Sequence, residues 1–140
     1  MSETPDAVQP AQGYAGDISP QLAFQWWQSG QGLLVDIRTE AEIAWVGFVP
    51  GAPCIPWKHW PGMALNPDFD AQIRQVVPPG VKALLLCRSG IRSIAAARRA
   101  TELGIEAYNI LEGFEGNPDA QGHRGTFEGW RHRGLPWRQH

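Results

Sequence analysis

A strand, a short loop and a helix follow one another without a break between residues 81 and 103, and a cysteine stands where the strand ends. Val81 to Leu86 is a mostly apolar run, which is typical of a strand buried on both faces. Ile91 to Leu103 is rich in alanine and stops at Gly104, as a helix does. A buried strand that leads directly into a helix predicts an α/β fold.

Short apolar runs alternate with helical segments along the rest of the chain. Ser19 and Pro20 form a typical helix start, because serine caps the helix and proline fits its first position. Further strands are predicted at Leu33–Ile37, Ala52–Ile55 and Ala107–Leu111, and further helices at Pro20–Trp27, Glu40–Val46 and Phe69–Val76. This alternation predicts an open, largely parallel β-sheet with helices on both faces.

The two ends of the chain lack this periodicity. Residues 1–16 are rich in Pro, Gln, Ala and Gly and are predicted to form a flexible N-terminal arm, which leaves residues 17–140 as one domain. Residues 112–140 are interrupted by glycines but contain several aromatic side chains. They predict an irregular segment wrapped over the domain, with one short helix near residues 127–132.

Composition excludes several classes of protein. The 140 residues suit a single domain, and the formal net charge of -2 argues against a broad basic surface for nucleic acid. No run approaches the about 18 apolar residues of a membrane span, and residues 1–6 do not resemble a signal peptide. We therefore expect a cytoplasmic protein. Its two cysteines, Cys54 and Cys87, are too few for a disulfide framework, and with the four histidines they show no paired spacing of zinc ligands, so any chemistry they have is thiol chemistry.

Cys87 is the candidate nucleophile. It lies at the carboxyl end of a predicted strand, where open parallel sheets bind ligands. Loop N–H groups and the start of the following helix stabilise an anion there, and Arg88 and Arg92 add positive charge. This setting favours the thiolate. A lone cysteine is more commonly a small core residue, but the two arginines and the glycine-containing turn favour a nucleophile.

The loop Cys87-Arg88-Ser89-Gly90-Ile91-Arg92 resembles the active-site loop of the single-domain rhodanese-like sulfurtransferases. Two other stretches support the resemblance. Leu34 to Glu42 is similar to the family's first signature, in which an Asp and an Arg end a strand, and Gly47 to Pro56 is similar to the loop and strand that follow. The resemblance extends over about residues 18–137.

The resemblance implies a rhodanese-like fold and a thiosulfate:cyanide sulfurtransferase type of enzyme. Such an enzyme moves a sulfane sulfur from thiosulfate or a persulfide to cyanide or a thiol, through a persulfide on the catalytic Cys87. A protein is a further possible acceptor, and neither a metal nor an organic cofactor is needed. The implied substrate-binding residues are Arg88, Ser89, Gly90, Ile91, Arg92 and Ser93.

Asp36 and Arg38 are supporting residues in this interpretation. The resemblance implies that Asp36 accepts hydrogen bonds near the cysteine loop and that Arg38 lies at the pocket rim. The alternative is an ion pair that closes the end of a strand. Cys54 is predicted to be a residue of a core strand, and residues 57–60 are predicted to cover the edge of the core, with lining of the pocket entrance as the alternative.

Some positions depart from the family pattern. Phe48-Val49 stands where many members have a histidine, Glu112-Gly113 stands where a glycine pair is usual, and residues 114–129 form a longer, glycine-rich insert. None of these positions belongs to the cysteine loop, so they concern the substrate channel and the acceptor more than the chemistry.

Two other functions remain open. Cysteine-dependent phosphatases and arsenate reductases also use a cysteine loop that ends in arginine, but they have five residues between the two, because a wider loop is needed to enclose an oxyanion. Here four residues separate Cys87 from Arg92, which favours sulfur transfer. The second alternative is a non-catalytic rhodanese-like module that binds a partner. The sequence does not choose a physiological donor, acceptor, pathway or oligomeric state.

Overall fold

The computed structural model describes residues 7–140 and has a central parallel sheet with helices on both faces, as predicted. The helices and strands, in chain order, are β1 (Gly16–Ile18), α1 (Pro20–Gln28), β2 (Gly32–Asp36), α2 (Glu40–Trp45), β3 (Lys58–His59), β4 (Ala64–Leu65), α3 (Phe69–Val76), β5 (Lys82–Leu86), α4 (Arg92–Glu102) and β6 (Ala107–Ile110). In the part of the chain that is described, no helix has the length and apolarity needed to cross a bilayer.

The four strands of the central sheet are arranged in the order β1-β6-β5-β2, and every neighbouring pair is parallel. β5 is therefore an inner strand, with Leu84 opposite Leu34 of β2 on one side and Tyr108 of β6 on the other. Because the carboxyl ends of parallel strands meet at one edge, Cys87 leaves the sheet at the middle of that edge.

Side chains of β5 alternate between two apolar layers, as the pleat of a strand requires. Ala83, Leu85 and Cys87 face a cluster that includes residues of α3 and α4. Leu84 and Leu86 face a cluster formed with α1 and the C-terminal segment. The sheet is thus buried on both sides, which explains why residues 83–86 of the inner strand β5 form a continuous apolar run rather than an alternating pattern.

The helix starts follow the sequence signals. The Ser19 side chain accepts a hydrogen bond from the Leu22 N–H at the start of α1, and Pro20 occupies the first turn. α2 begins with a capping box in which the Thr39 and Glu42 side chains each accept from the other residue's backbone N–H. These contacts fix where α2 begins, directly after the end of β2.

The predicted strand at residues 52–55 is wrong in extent. Only a single parallel bridge forms there, between Asp36 and Cys54. Pro53 has no N–H to donate on the side that faces β2, which stops the ladder there, although Ile55 and Trp57 still donate to the Asp36 and Ile37 carbonyls. The short antiparallel pair of β3 and β4 was not predicted. It places residues 57–65 beside the carboxyl edge of the sheet.

The N-terminal arm is described only in part, since residues 1–6 lie outside the described residues. Within the remainder, Gln9 and Asp17 exchange two backbone hydrogen bonds of 2.9 Å each. Gly16, the last residue of the predicted arm, is buried and begins β1. This part of the arm therefore packs against the edge strand of the sheet.

The C-terminal segment wraps over the domain as predicted, but the short helix near residues 127–132 does not form. Turns take its place, because Gly129 has a φ of 110° and lies so close to the backbone of Glu115 that an added Cβ would be 2.7 Å from it. Trp130, directly after this glycine, is fully buried, and its indole N–H donates to the Pro136 carbonyl. The segment is thus part of the core.

We predict that Trp130→Ala lowers the free energy of unfolding by about 3–5 kcal/mol, because it removes a large buried ring and leaves a cavity. Trp45 is 83% exposed, so Trp45→Ala is the matched control and should change stability by less than about 0.5 kcal/mol. Urea unfolding of both variants checks this. Equal losses in the two variants would contradict a core role for the C-terminal segment.

Candidate active site

The Cys87 side chain lies at the floor of a pocket formed at the carboxyl edge of the sheet. The residue is 1% exposed, yet it belongs to the lining of a cavity of about 630 Å³. β5 delivers the cysteine, the loop 88–91 turns above it, and α4 begins at Arg92. The sulfur is therefore shielded by protein on all sides except the pocket, which is the route by which a reactant reaches it.

Two groups contact the Cys87 sulfur directly. The Gly90 backbone N–H donates to Sγ at 3.1 Å, and the Ser93 hydroxyl oxygen lies 3.1 Å from it. Gly90 has a φ of 93°, a conformation that glycine adopts without strain. This conformation turns its N–H back toward the sulfur. An N–H aimed at Sγ stabilises a thiolate.

The cysteine loop is held by the backbone that follows β6. The Phe114 N–H donates to the Cys87 carbonyl at 2.8 Å, and the Glu115 N–H donates to the Arg88 carbonyl at 2.9 Å. Gly113 packs against the loop so closely that a Cβ there would lie 2.5 Å from the Arg88 backbone. The loop conformation therefore depends on a glycine outside the loop.

Glu112 stands at the position where the family pattern has the first glycine of a glycine pair. It has a φ of 71°, a region that side-chain-bearing residues rarely adopt. Its carboxylate accepts hydrogen bonds of 2.9 Å from the Gly129 N–H and from two nitrogens of Arg133. These contacts hold the C-terminal segment and offset the backbone strain.

Arg92 reaches the pocket already paired. Its two terminal nitrogens donate to the two oxygens of Glu42 at 2.7 and 2.6 Å. Burial of Glu42 favours its neutral form, but the hydrogen bonds and charge of Arg92, with hydrogen bonds from Thr39, outweigh burial and hold the pKa of Glu42 below its ordinary value. The arginine predicted to hold a donor's anionic end thus has a carboxylate on its guanidinium.

Arg88 and Arg124 approach the pocket from other sides. Arg88 is half exposed and lies 3.4 Å from the Glu115 carboxylate. Arg124, from the glycine-rich insert, donates to the Gly116 carbonyl at 2.7 Å. The insert therefore supplies a cation to the pocket that no motif in the sequence indicated.

Large apolar side chains form the pocket mouth. Trp45 and Val46 come from the end of α2, Trp60 and Met63 from the turn between β3 and β4, and Ile91 from the cysteine loop. Residues 57–60 were predicted to cover the edge of the core, with lining of the pocket entrance as the alternative, and each description fits one of the two tryptophans. Trp57 packs edge-on against Phe69 in the core, with ring centroids 4.8 Å apart, whereas Trp60 lines the entrance.

Asp36 and Arg38 form a buried ion pair beneath the site. Arg38 Nη2 lies 2.7 Å from the Asp36 carboxylate and 2.8 Å from the Gly47 carbonyl, and the guanidinium stacks 4.0 Å from the Phe114 ring centre. Arg38 is fully buried and does not line the pocket. The expected place at the pocket rim is wrong: the pair closes the end of β2, the alternative that the sequence left open.

The predicted substrate-binding residues fall into two groups. Arg88, Ser89, Ile91 and Arg92 line the pocket, whereas Gly90 and Ser93 lie behind the sulfur and contact it. The roles of these residues stay predictions. Sequence reasoning missed Glu42, although its signal was present: Thr39-x-x-Glu42 is a capping-box pattern directly after a strand, and it places the glutamate at the same edge as the cysteine loop.

Cys54 lies apart from this pocket, at the bridge beside β2, and its thiol donates a hydrogen bond to the Ala52 carbonyl at 3.8 Å. Although the residue reaches the surface, partial burial of the sulfur and the nearby Asp36 carboxylate raise the pKa of the Cys54 thiol to about 11. It stays protonated at neutral pH and is a poor nucleophile.

Comparison with known proteins agrees with this architecture. The sequence matches the family model of the rhodanese-like domain over residues 20–117. The crystal structure of Rv0390 from M. tuberculosis is 46% identical, with a TM-score of 0.82 over 91% of this chain and 99% of that chain. An uncharacterized protein of Rickettsia conorii is 36% identical over 109 residues, 74% of this chain and 80% of that protein.

A more distant structure shares the fold alone. It is a protein of unknown function from Rhodopseudomonas palustris, described as a possible tyrosine phosphatase. It is 24% identical with a TM-score of 0.54, and the match covers 86% of this chain and 82% of that chain.

We predict that Glu42→Gln destabilises the protein at pH 7 by about 1–3 kcal/mol, because it leaves the half-buried Arg92 without its anion. Since the pKa of Glu42 is lowered by folding, the contribution is present above the ordinary glutamate value of about 4.3 and disappears as the pH falls through the lowered value. Thermal unfolding of wild type and variant from pH 7 to pH 3 measures the difference.

The matched control is Glu102→Gln, which removes an exposed carboxylate paired with Arg99 on the same helix. Such pairs contribute less than about 1 kcal/mol. A melting-temperature difference for Glu42→Gln that stays constant down to pH 3 would contradict the ion-pair explanation.

Proposed function

The chain belongs to the family of rhodanese-like domains, and we propose that it is a sulfurtransferase that carries a sulfane sulfur on Cys87. One observation carries the proposal: a single thiol lies at the floor of a pocket, with a backbone N–H aimed at its sulfur and a helix start beside it. A group that only packed in the core would need neither the opening nor the N–H.

In the first step the Cys87 thiolate attacks the outer sulfur of thiosulfate or another sulfane donor. A sulfur–sulfur bond forms to the cysteine, the bond between the outer sulfur and the sulfonyl group breaks, and sulfite leaves with the electron pair. The product is a cysteine persulfide that carries the negative charge on its terminal sulfur. The Gly90 N–H, 3.1 Å from Sγ, stabilises the thiolate that makes the attack and that forms again when the sulfur is passed on.

In the second step an acceptor removes the terminal sulfur. Cyanide attacks it, thiocyanate leaves, and the electron pair of the broken sulfur–sulfur bond returns to Cys87 as a thiolate. A small thiol or a protein thiol reacts in the same way. A small-molecule donor and one of these acceptors, meeting in the cytoplasm, complete the proposal, and no metal or organic cofactor takes part in it.

Loop length argues against phosphate chemistry at this site. Four residues separate Cys87 from Arg92, and Arg92 is held by both oxygens of Glu42. A phosphatase needs that arginine free to bind two oxygens of the phosphate. Sulfur transfer makes no such demand, because the attacked atom is a small terminal sulfur.

We predict that intact-protein mass spectrometry detects one added sulfur atom after brief incubation of the wild type with thiosulfate or with glutathione persulfide. Cyanide should then remove it, because the persulfide is the transfer intermediate. Cys87→Ser should gain nothing, since it lacks the nucleophile.

Cys54→Ser is the matched control: it removes the other thiol, and sulfur uptake should continue unchanged. Absence of the added sulfur with both donors would contradict the proposal and favour a non-catalytic binding module. Phosphate release from an aryl phosphate, lost in Cys87→Ser, would instead favour the phosphatase alternative.

A further inference from the structure

The pocket above Cys87 exposes large apolar side chains at its mouth. Trp45 is 83% exposed, Ile91 68% and Trp60 61%. Single exposed apolar residues are common, but several around one opening mark a surface that binds something apolar. A small inorganic anion gains nothing from such a mouth, because its oxygens need hydrogen-bond donors.

The charges of the pocket are mostly compensated. Three arginines and two glutamates line it. Arg92 is bound by Glu42 at 2.6 Å, and Arg88 lies 3.4 Å from Glu115. Among residues 7–140, Arg124 has no carboxylate partner and donates only to a backbone carbonyl. Apart from the Cys87 sulfur itself, the lining therefore has one uncompensated positive charge, and a thiolate at Cys87 would cancel it, so the site suits a monoanion better than a dianion.

The size of the pocket points the same way. Its volume is about 630 Å³, which is large enough for a ligand with an organic substituent. Thiosulfate has five non-hydrogen atoms and fills roughly the space of a few water molecules at about 30 Å³ each. Most of the pocket, including its tryptophans, would stay in contact with water around so small a donor.

We propose that the preferred donor is a monoanionic sulfane sulfur with an apolar organic substituent, such as a thiosulfonate or an organic persulfide. The inference rests on the proposed sulfurtransferase function and identifies the donor class of that site. The substituent lies against Trp45 and Trp60, and the outer sulfur of either donor meets Cys87. In a thiosulfonate the sulfonyl oxygens face Arg124. With a thiosulfonate, the Cys87 thiolate forms a bond to the outer sulfur, the bond to the sulfonyl sulfur breaks, and an organic sulfinate leaves with the electron pair.

The test compares benzenethiosulfonate with thiosulfate as donors, with cyanide as acceptor, in the full chain. We expect kcat/KM to be at least about tenfold higher for benzenethiosulfonate than for thiosulfate. A factor of about this size is usual when an apolar group of the substrate binds in a matching apolar pocket. Trp45→Ala and Trp60→Ala should each lower this preference ratio by about fivefold to tenfold, since each removes part of the apolar mouth.

Leu65→Ala is the control, because Leu65 is 60% exposed on β4 but does not line the pocket. It should keep the wild-type ratio. Persulfide formation with equal kcat/KM for the two donors, or a ratio that the tryptophan variants leave unchanged, overturns this inference alone. No persulfide with any donor overturns the proposed function and this inference with it.

A second inference comes from a different observation, a chain of hydrogen bonds behind the sulfur. The Ser93 hydroxyl contacts Cys87 Sγ on one side and Asn109 Oδ1 on the other. Asn109 Nδ2 donates to Asp17 at 2.9 Å, and the Tyr14 hydroxyl donates to the same carboxylate oxygen at 2.8 Å. The chain runs from the buried thiol at the end of β5, across β6, to the edge strand β1.

The direction of each hydrogen bond follows from the groups themselves. An ionised carboxylate only accepts, so Asp17 fixes the Asn109 amide with its N–H groups toward β1 and its oxygen toward Ser93. Ser93 has one hydroxyl hydrogen, and Asn109 accepts it. Toward Cys87, Ser93 therefore presents a lone pair, which accepts from a thiol but does not stabilise a thiolate.

We infer that Asn109 and Asp17 are positioning residues that set the thiolate fraction of Cys87 through the direction of the Ser93 hydroxyl. The chain presents an acceptor to the Cys87 sulfur, whereas the Gly90 N–H presents a donor and the start of α4 lies beside it. The resting cysteine is thereby protected from oxidants, because oxidation follows thiolate character.

Charged groups around the thiol come from every neighbouring element. α4 and the loop supply Arg92 and Arg88, α2 supplies Glu42, and β1 contributes Asp17. The end of β2 supplies the Asp36–Arg38 pair, and the C-terminal segment supplies Glu115 and Arg124. Asn109→Ala leaves all of these charges in place. A change in thiol reactivity in that variant therefore reports the hydroxyl direction rather than an altered charge.

The test measures the rate of iodoacetamide alkylation against pH in a Cys54→Ser background. Asn109→Ala frees the Ser93 hydroxyl hydrogen to donate to the thiolate, as in a hydrogen bond to a charged group. We therefore expect the midpoint pH of the alkylation profile to fall by about one unit, and the alkylation rate below that midpoint to rise about tenfold. Asp17→Asn, which lets the Asn109 amide turn over, should act in the same direction.

The double variant Ser93→Ala/Asn109→Ala is the matched control, because it keeps the space opened at Asn109 but has no hydroxyl. Its midpoint should match that of Ser93→Ala. The inference is overturned if Asn109→Ala raises the alkylation rate equally in the absence of the Ser93 hydroxyl. It is also overturned if folded Asn109→Ala and Asp17→Asn both keep the midpoint pH of the wild type.

Discussion

The site depends on one set of backbone contacts, the hydrogen bonds by which residues 114 and 115 bind the carbonyls of Cys87 and Arg88. A loop at the end of a parallel strand has no strand partner of its own, so its polar groups need another segment. Here the chain that leaves β6 supplies it, and Gly113 lets the two backbones touch. The direction of the Gly90 N–H, and with it the stabilisation of charge on the sulfur, follows from this contact.

The sequence predicted the elements whose signals are local. The apolar run before Cys87, the alanine-rich segment after it and the stop at Gly104 fixed β5 and α4, because each signal lies inside the element it specifies. Residues 52–55 were harder, since their apolar character suits a strand while Pro53 removes a hydrogen bond that a strand needs. The turns around Trp130 were misjudged because they follow from a close approach to Glu115, a long-range contact that local patterns do not contain.

The sign of the charge near the cysteine was predicted from the sequence, but the net charge of the pocket was not. The sequence placed two arginines, Arg88 and Arg92, beside the cysteine and so predicted positive charge there. The pairing of Arg92 with Glu42, fifty residues earlier in the chain, reduces that charge, and the pocket keeps only a modest positive character. Ion pairs between distant segments depend on how the elements pack, so composition of a motif cannot reveal them. The capping-box pattern at Thr39 placed Glu42 at the correct edge of the sheet, but only the fold brings it to the cysteine loop.

The contacts of residues 113–115 with the cysteine loop also affect the order in which the site can form during synthesis. A ribosome releases the N-terminal segments first, so β2, β5 and α4 can assemble before the C-terminal segment has emerged. At that stage the thiol exists without the backbone contacts from residues 114 and 115 that shape its loop. Closure of the segment around Trp130 cannot precede its own synthesis. The cysteine loop therefore receives the contacts that hold its shape only after residues 113–115 have been made, later than the strand and the helix on either side of it.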